Sequence, residues 1–222
     1  DFNFKNMVNS GYPIIHSTFK HINSGKIDLK AKDIDKELWY WLDEKNGLVK
    51  DNNGVGILNF HYENYNYGAN LVAYSLSKVI KELGYNPYII DFDPFPPLDA
   101  ITRYRTLGLY NFRKKHLNMT PRFSNSDDLK ILNNYLDMYV VGSDQVWRKA
   151  ITQSNLKTYF LDFVQDKNKI SYGASFGKDY FEGNDLESID CARLLSSFYN
   201  VSVRENDAVD ICRDTFNCNS SV

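Results

Sequence analysis

From Val55 onward, short unbroken apolar runs alternate with longer stretches in which apolar residues recur every three or four positions, a rhythm that predicts an α/β domain. Val55-Gly56-Ile57-Leu58-Asn59-Phe60 reads as a buried strand. A helix follows from about Asn70 to Leu83, with Leu71, Val72, Leu76, Val79, Ile80 and Leu83 at helical spacing and Gly84 as its stop. Tyr88-Ile89-Ile90-Asp91-Phe92 is the next strand. A strand, helix and strand of this length make a right-handed crossover unit, which puts the first loop at the carboxyl edge of a parallel sheet. Further on, the basic segment from Leu98 to Arg122 reads as helical, a second helix spans Asp127 to Tyr135, and Met138 to Val141 is a strand. Thr158 to Phe163 and Lys169 to Gly173 read as strands around a charged turn. A helix near Leu186 to Phe198 precedes the last strand, Asn200 to Val203. The expected fold is a Rossmann-like, mostly parallel sheet with flanking helices.

Residues 1–53 break this rhythm. An irregular Asn- and Ser-bearing start leads to a short helical pattern around Asp33 to Glu44 carrying Leu38, Trp39, Trp41 and Leu42. Gly47 reads as a helix stop and Lys50-Asp51-Asn52-Asn53-Gly54 as a linker. The domain organisation expected is an appendage at 1–53, a Rossmann-like domain at 54–216 and a tail at 217–222. Because the chain begins at Asp1 rather than Met and stops in Asn217-Cys218-Asn219-Ser220-Ser221-Val222, it is expected to be part of a longer polypeptide.

Charge and composition narrow the partners. A formal net charge of -2 over 222 residues offers no basic stripe, which argues against a nucleic-acid partner. Cys191, Cys212 and Cys218 make an odd count without a C-x-x-C pair, so neither a disulfide framework nor a zinc site is indicated and a cytoplasmic setting is expected. No apolar run approaches the length of a membrane-spanning helix. The 16 Tyr residues include several in the loops, where a ring with a hydroxyl suits a sugar face; packing between layers is the ordinary use of any one of them.

The candidate chemistry lies in the loops that follow the strands, because ligands of open α/β sheets bind beyond the carboxyl ends of the strands. Asn66-Tyr67-Gly68-Ala69 sits between strand and helix, where small residues let backbone amides approach an anion. No dinucleotide fingerprint accompanies it, since Gly54 and Gly56 precede the loop, and no Walker A motif is present. His61 is a candidate acid, base or phosphate contact, with a hydrogen-bonded histidine buttressing the loop as the equal alternative. Ser143-Asp144-Gln145 combines a hydroxyl, a carboxylate and an amide suited to sugar hydroxyls, or alternatively an Asx-type turn. Arg204 can clamp a carboxylate or phosphate bidentately, or pair internally with Glu205. Arg103, Arg105, Arg113, Lys114, Lys115 and His116 form a basic cluster that reads chiefly as a solvated face.

The ordered set of Gly56-Ile57-Leu58-x-Phe60-His61, Asn66-Tyr67-Gly68-Ala69, Ala73-Tyr74-x-Leu76, Glu82-Leu83-Gly84-Tyr85 and Ile90-Asp91 resembles the start of the polysaccharide pyruvyl transferase family. Phe112-Arg113-Lys114, Val141-Gly142-Ser143-Asp144-Gln145-Val146-Trp147, Tyr159-Phe160-Leu161-Asp162-Phe163, Ile170-Ser171-Tyr172-Gly173-Ala174-Ser175-Phe176-Gly177 and Val201-Ser202-Val203-Arg204-Glu205 continue it in order. The resemblance covers about Val55 to Asp207. It implies an enzyme similar in architecture to two-domain GT-B transferases, of which this chain looks like the N-terminal half and is expected to be inactive alone. It implies transfer of pyruvate from phosphoenolpyruvate to a glycan or lipid-linked saccharide as a ketal in cell-surface polysaccharide biosynthesis. The implied site is His61 as catalytic group, with Asn66, Tyr67, Gly68, Ser143, Asp144, Gln145, Ser175 and Arg204 binding substrate. No metal or cofactor beyond the donor substrate is implied, and membrane proximity is expected only transiently, through the acceptor. Val72 stands where the family commonly has Gln, and the 1–53 appendage lies outside its usual pattern. A nucleotide-sugar glycosyltransferase and a non-catalytic glycan-binding module are the alternatives.

Overall fold

The computed structural model describes residues 51–61, 66–94, 107–165 and 168–222. Residues 1–50 of the expected appendage, with Arg103 and Arg105, lie outside them, whereas Asp51 to Gly54, expected as linker, open the first strand. Five strands form one sheet in the order β2-β1-β3-β4-β5, with β1 at Asp51–Leu58, β2 at Asn86–Ile89, β3 at Leu136–Asp144, β4 at Asn168–Ala174 and β5 at Asn200–Val203. Every pairing is parallel, so all five strands end at one edge. The chain runs outward from β1 to β2, then returns across β1 to continue through β3, β4 and β5. The order therefore reverses between β1 and β3, where crossovers leave to opposite sides and a crevice opens at the carboxyl edge.

Helix α1, Tyr67–Glu82, covers one face. Val55, Ile57, Ile89 and Val140 from the sheet meet Ala73, Leu76 and Ile80 of α1 and Leu117 in one buried cluster; full burial of each Leu, Ile or Val side chain contributes about 1.5–3 kcal/mol. The helix buries Ala69, Asn70, Ala73, Leu76 and Ile80 and leaves Leu71, Val79 and Leu83 more than half exposed. Its sheet-facing stripe therefore runs through two small alanines and one asparagine, rather than through the bulkiest residues.

The opposite face is aromatic. Tyr159 meets Phe60 edge-on with ring centroids 5.0 Å apart, and Trp147 stacks on Phe160 at 4.9 Å. One local expectation fails here. Thr158 to Phe163 is not a strand: Gln153–Phe160 is a 3-10 helix ended by Leu161 at φ 54°. A short apolar run fits either element, and Thr158 to Leu161 are all buried without the alternation of a half-buried strand. The 127–135 segment is likewise a 3-10 helix, Ser126–Asn134.

Helix α2 spans Leu107–His116, and the helical reading of the residues after it fails too. Asn118 to Phe123 runs extended beside the end of β2, with Ile89 N–H donating to Asn118 O at 2.8 Å and Thr120 N–H donating to Ile89 O at 2.9 Å. Pro121 excludes helix from the preceding Thr120 by steric clash. Three further helices complete the described chain: α3 at Lys149–Thr152, α4 at Asp185–Leu195 and α5 at Asn206–Phe216. Beyond α5, Val203 N–H donates to Ser221 O at 2.8 Å and Ser221 N–H to Val201 O at 3.1 Å, so residue 221 pairs along β5. Among the described residues no helix is long and apolar enough to cross a membrane.

Candidate functional site

Two polar groups occupy the carboxyl edge, one at the ends of β1 and β2 and one at the ends of β3, β4 and β5. The first is buried. His61 is fully enclosed, with Nε2 3.2 Å from Asp91 Oδ1 and Nδ1 3.2 Å from Asn59 Oδ1. Asn59 Oδ1 also accepts the N–H of His61 at 3.1 Å. Arg113 is buried beside it and donates through Nη1 to His61 O at 3.0 Å and Asn70 Oδ1 at 3.2 Å. Asp91 accepts from Arg122 Nε at 3.2 Å, and its own N–H donates to Thr120 Oγ1. Burial by itself raises the Asp91 carboxyl, but the His61 and Arg122 partners outweigh it and hold the group at about 2. This network ties the end of β1 to Asp91 beyond β2 and to Asn70 of α1.

Asn66 is the N-cap of α1, its Oδ1 accepting from Ala69 N–H at 2.9 Å. Asn70 Nδ2 donates back to Asn66 O at 3.0 Å. Tyr67 and Gly68 follow on the exposed first turn, where a helix has N–H groups with no intrahelical partner.

The second group is more open. Arg204 donates through Nη2 to Ser143 Oγ at 3.0 Å, and its Nη1 lies 3.9 Å from Asp144 Oδ1. Asp144 has φ 145°, a region that side-chain-bearing residues seldom adopt and that persists only when neighbours enforce it. They do so here: its carbonyl accepts from Val146 N–H at 2.7 Å and Ser175 N–H at 2.9 Å, and Oδ1 accepts from Gln145 N–H at 2.8 Å. Gly142, at φ 113°, could carry no side chain, since a Cβ would come within 2.4 Å of Tyr172 O. Gln145 Oε1 accepts from Arg148 Nη1 at 3.0 Å. Ser175 is buried, donating to Glu205 Oε1 at 2.6 Å and accepting Gly177 N–H at 2.9 Å.

The structure thus joins Ser143, Asp144, Gln145 and Arg204 in one contact group, with Ser175 bonded to the Asp144 carbonyl from below. Asn66, Tyr67 and Gly68 stand across the β1/β3 reversal at the same sheet edge. His61 lies beneath them. Arg204 and Glu205, adjacent in sequence, take different partners, as side chains on an extended segment must when they point to opposite faces.

Asn59, Asn70, Arg122 and Arg148 are not singled out in the sequence reading, and Arg113, assigned there to a solvated face, is buried. Asn59 and Asn70 carried a signal, because each is a polar residue on an otherwise buried face. Arg113 sat inside a basic run whose other described members, Lys114, Lys115 and His116, are indeed exposed. Burial pushes the Cys191 and Cys212 thiols up to about 12, so neither is a nucleophile at neutral pH. Among the described residues no cluster of His, Cys, Asp and Glu is placed to hold a metal ion.

A five-stranded parallel sheet flanked by helices, with polar loops gathered at its order reversal, defines a domain of the Rossmann-like class. The family model described as polysaccharide pyruvyl transferase matches residues 66–222. The chain belongs to the polysaccharide pyruvyl transferase family, and a transferase function of that kind is what its membership indicates. No curated protein and no solved structure matches it.

Proposed function

We propose that the protein transfers pyruvate from phosphoenolpyruvate to two hydroxyls of a glycan or lipid-linked sugar, forming a cyclic ketal during cell-surface polysaccharide biosynthesis in the cytoplasm. Membership of the family across residues 66–222 carries this reading. The balanced reaction adds a proton to the methylene carbon of the donor, joins both sugar oxygens to its central carbon and releases phosphate, with the hydroxyl protons leaving to base. Catalysis needs an acid, a base, and donors for developing negative charge.

The residues support a division of labour. Asn66, Tyr67, Gly68, Ser143, Asp144 and Gln145 line the acceptor side of the crevice, Ser175 supports the Asp144 turn, and Arg204 offers its planar guanidinium to a carboxylate or phosphate. His61, fully enclosed between Asn59 and Asp91, acts by buttressing the end of β1 rather than by touching substrate. The test is acceptor-dependent phosphate release: the natural full-length polypeptide is incubated with phosphoenolpyruvate and a glycan panel. Phosphate formed together with an acid-labile ketal is the expected result, and phosphoenolpyruvate left intact with every acceptor would contradict the reading.

A further inference from the structure

The orientation of one side-chain amide limits what the crevice accepts. Gln145 spends Oε1 on Arg148 Nη1 and lies against Gly177, where an added Cβ would come within 2.7 Å of Gln145 Cδ. With the oxygen committed, Nε2 is the free end of the amide, and among the described residues it has no hydrogen-bond partner. Beside it, Asp144 commits Oδ1 to the Gln145 N–H and stands 3.9 Å from Arg204, which leaves Oδ2 as an acceptor. The uncommitted groups of these two consecutive residues are therefore one donor and one acceptor.

A hydroxyl both donates and accepts, whereas a phosphate or carboxylate only accepts. Local charge favours the hydroxyl as well. The Asp144 carboxylate itself repels an oxyanion placed against its Oδ2, which leaves an anion to the guanidinium of Arg204, 3.9 Å from Oδ1. Arg148 Nε is buried without a hydrogen-bond partner, 3.9 Å from Glu182 Oε1. A buried N–H left unbonded costs stability, a cost that fits a guanidinium placed for Gln145 rather than for its own bonds.

We infer that Asp144 Oδ2 and Gln145 Nε2 form a hydroxyl-reading pair for a sugar, with Arg148 as the positioning residue that holds the Gln145 amide donor-outward. The inference deepens the acceptor side of the proposed transferase, and its choice of a sugar rests on that reading. Replacing Gln145 by Glu keeps the contact to Arg148 but turns the free end into an acceptor, and one hydroxyl cannot donate to two carboxylates. Arg148→Lys keeps a single donor for Oε1, while Arg148→Met keeps none.

Ligand-observed NMR with the methyl glycosides of glucose, galactose and mannose tests the pair, with inorganic phosphate as competitor and melting temperatures recorded throughout. At least one glycoside should bind saturably. Gln145→Glu should weaken it roughly tenfold or more without loss of melting temperature, and Arg148→Lys should retain affinity that Arg148→Met loses. The inference is overturned if no glycoside saturates, if phosphate displaces the glycoside, or if Gln145→Glu binds as the parent does. Should that variant fail to fold, equal affinity in the two Arg148 variants overturns it instead. Glycoside binding that depends on Gln145, without phosphate release by the full-length polypeptide, leaves the pair standing and removes the transferase reading. Phosphate release with glycoside binding indifferent to Gln145 does the reverse.

Discussion

Gly177 and Asp91 show how single residues hold the two halves of the site. Gly177 has φ 64° and lies under the Gln145 amide, so a methyl group there meets both backbone strain and a steric overlap. Gly177→Ala should lower stability by roughly 1–3 kcal/mol, since a strained conformation of this kind costs that much by itself. Denaturant midpoints would measure it, and a midpoint equal to the parent's would show that Gln145 does not rest on this glycine. Asp91 makes a prediction about acid. Its folded-state carboxyl lies at about 2 against an unfolded value near 4, so it contributes about 2 kcal/mol above pH ~4 that disappears as pH falls from there toward ~2. Asp91→Asn should lower stability at neutral pH and flatten the acid slope across that window. Denaturation curves at stepped pH values decide it, and an unchanged slope would mean that His61 and Arg122 do not stabilise the carboxylate.

Among the elements, α4 depends most visibly on a sequence signal. Asn184 accepts from Glu187 N–H at 2.9 Å while Glu187 Oε2 accepts from Asn184 N–H at 3.1 Å, a reciprocal capping box. Asn184→Ala should cost about 1 kcal/mol, read as a lower melting temperature with sugar and phosphate binding intact. Binding lost alongside stability would place α4 nearer the site than its contacts do. Elements with one dominant determinant were legible from sequence. Val55 to Phe60, Lys169 to Gly173 and Asn200 to Val203 read as strands because unbroken or alternating apolar residues allow little else. Thr158 to Phe163 did not, because Thr158 to Leu161 are all buried, with Tyr159 and Phe160 against Phe60, Phe92 and Trp147, and periodicity cannot separate such a run from a helical turn. Asn118 to Phe123 was hidden by its basic neighbours, although Pro121 alone argued against helix.

At the scale of the whole molecule, the candidate loops could be placed at one edge without coordinates because parallel strands put all their following loops there. That argument placed Asn66 and Ser143 together at the edge despite their separation in sequence. It could not supply the lateral detail: that Arg148 orients Gln145, that Arg204 reaches Ser143 rather than Glu205, or that Asn59, Asp91 and Arg113 enclose His61. Such contacts depend on side-chain directions that one strand's pattern does not carry. In the proposed reaction, the acceptor is the ligand for Asp144 and Gln145 of the open group, and the donor's negative charge that for Arg204.

The transfer itself is tested most directly by following the donor's methylene carbon. The natural full-length polypeptide, incubated in heavy water with phosphoenolpyruvate labelled with carbon-13 at that carbon and with a glycan acceptor, should yield a ketal whose labelled methyl group carries a single deuteron from solvent, together with free phosphate. Label that stays in phosphoenolpyruvate, or that appears only in free pyruvate with no carbon bonded to sugar oxygen, would contradict pyruvyl transfer as the function of this protein.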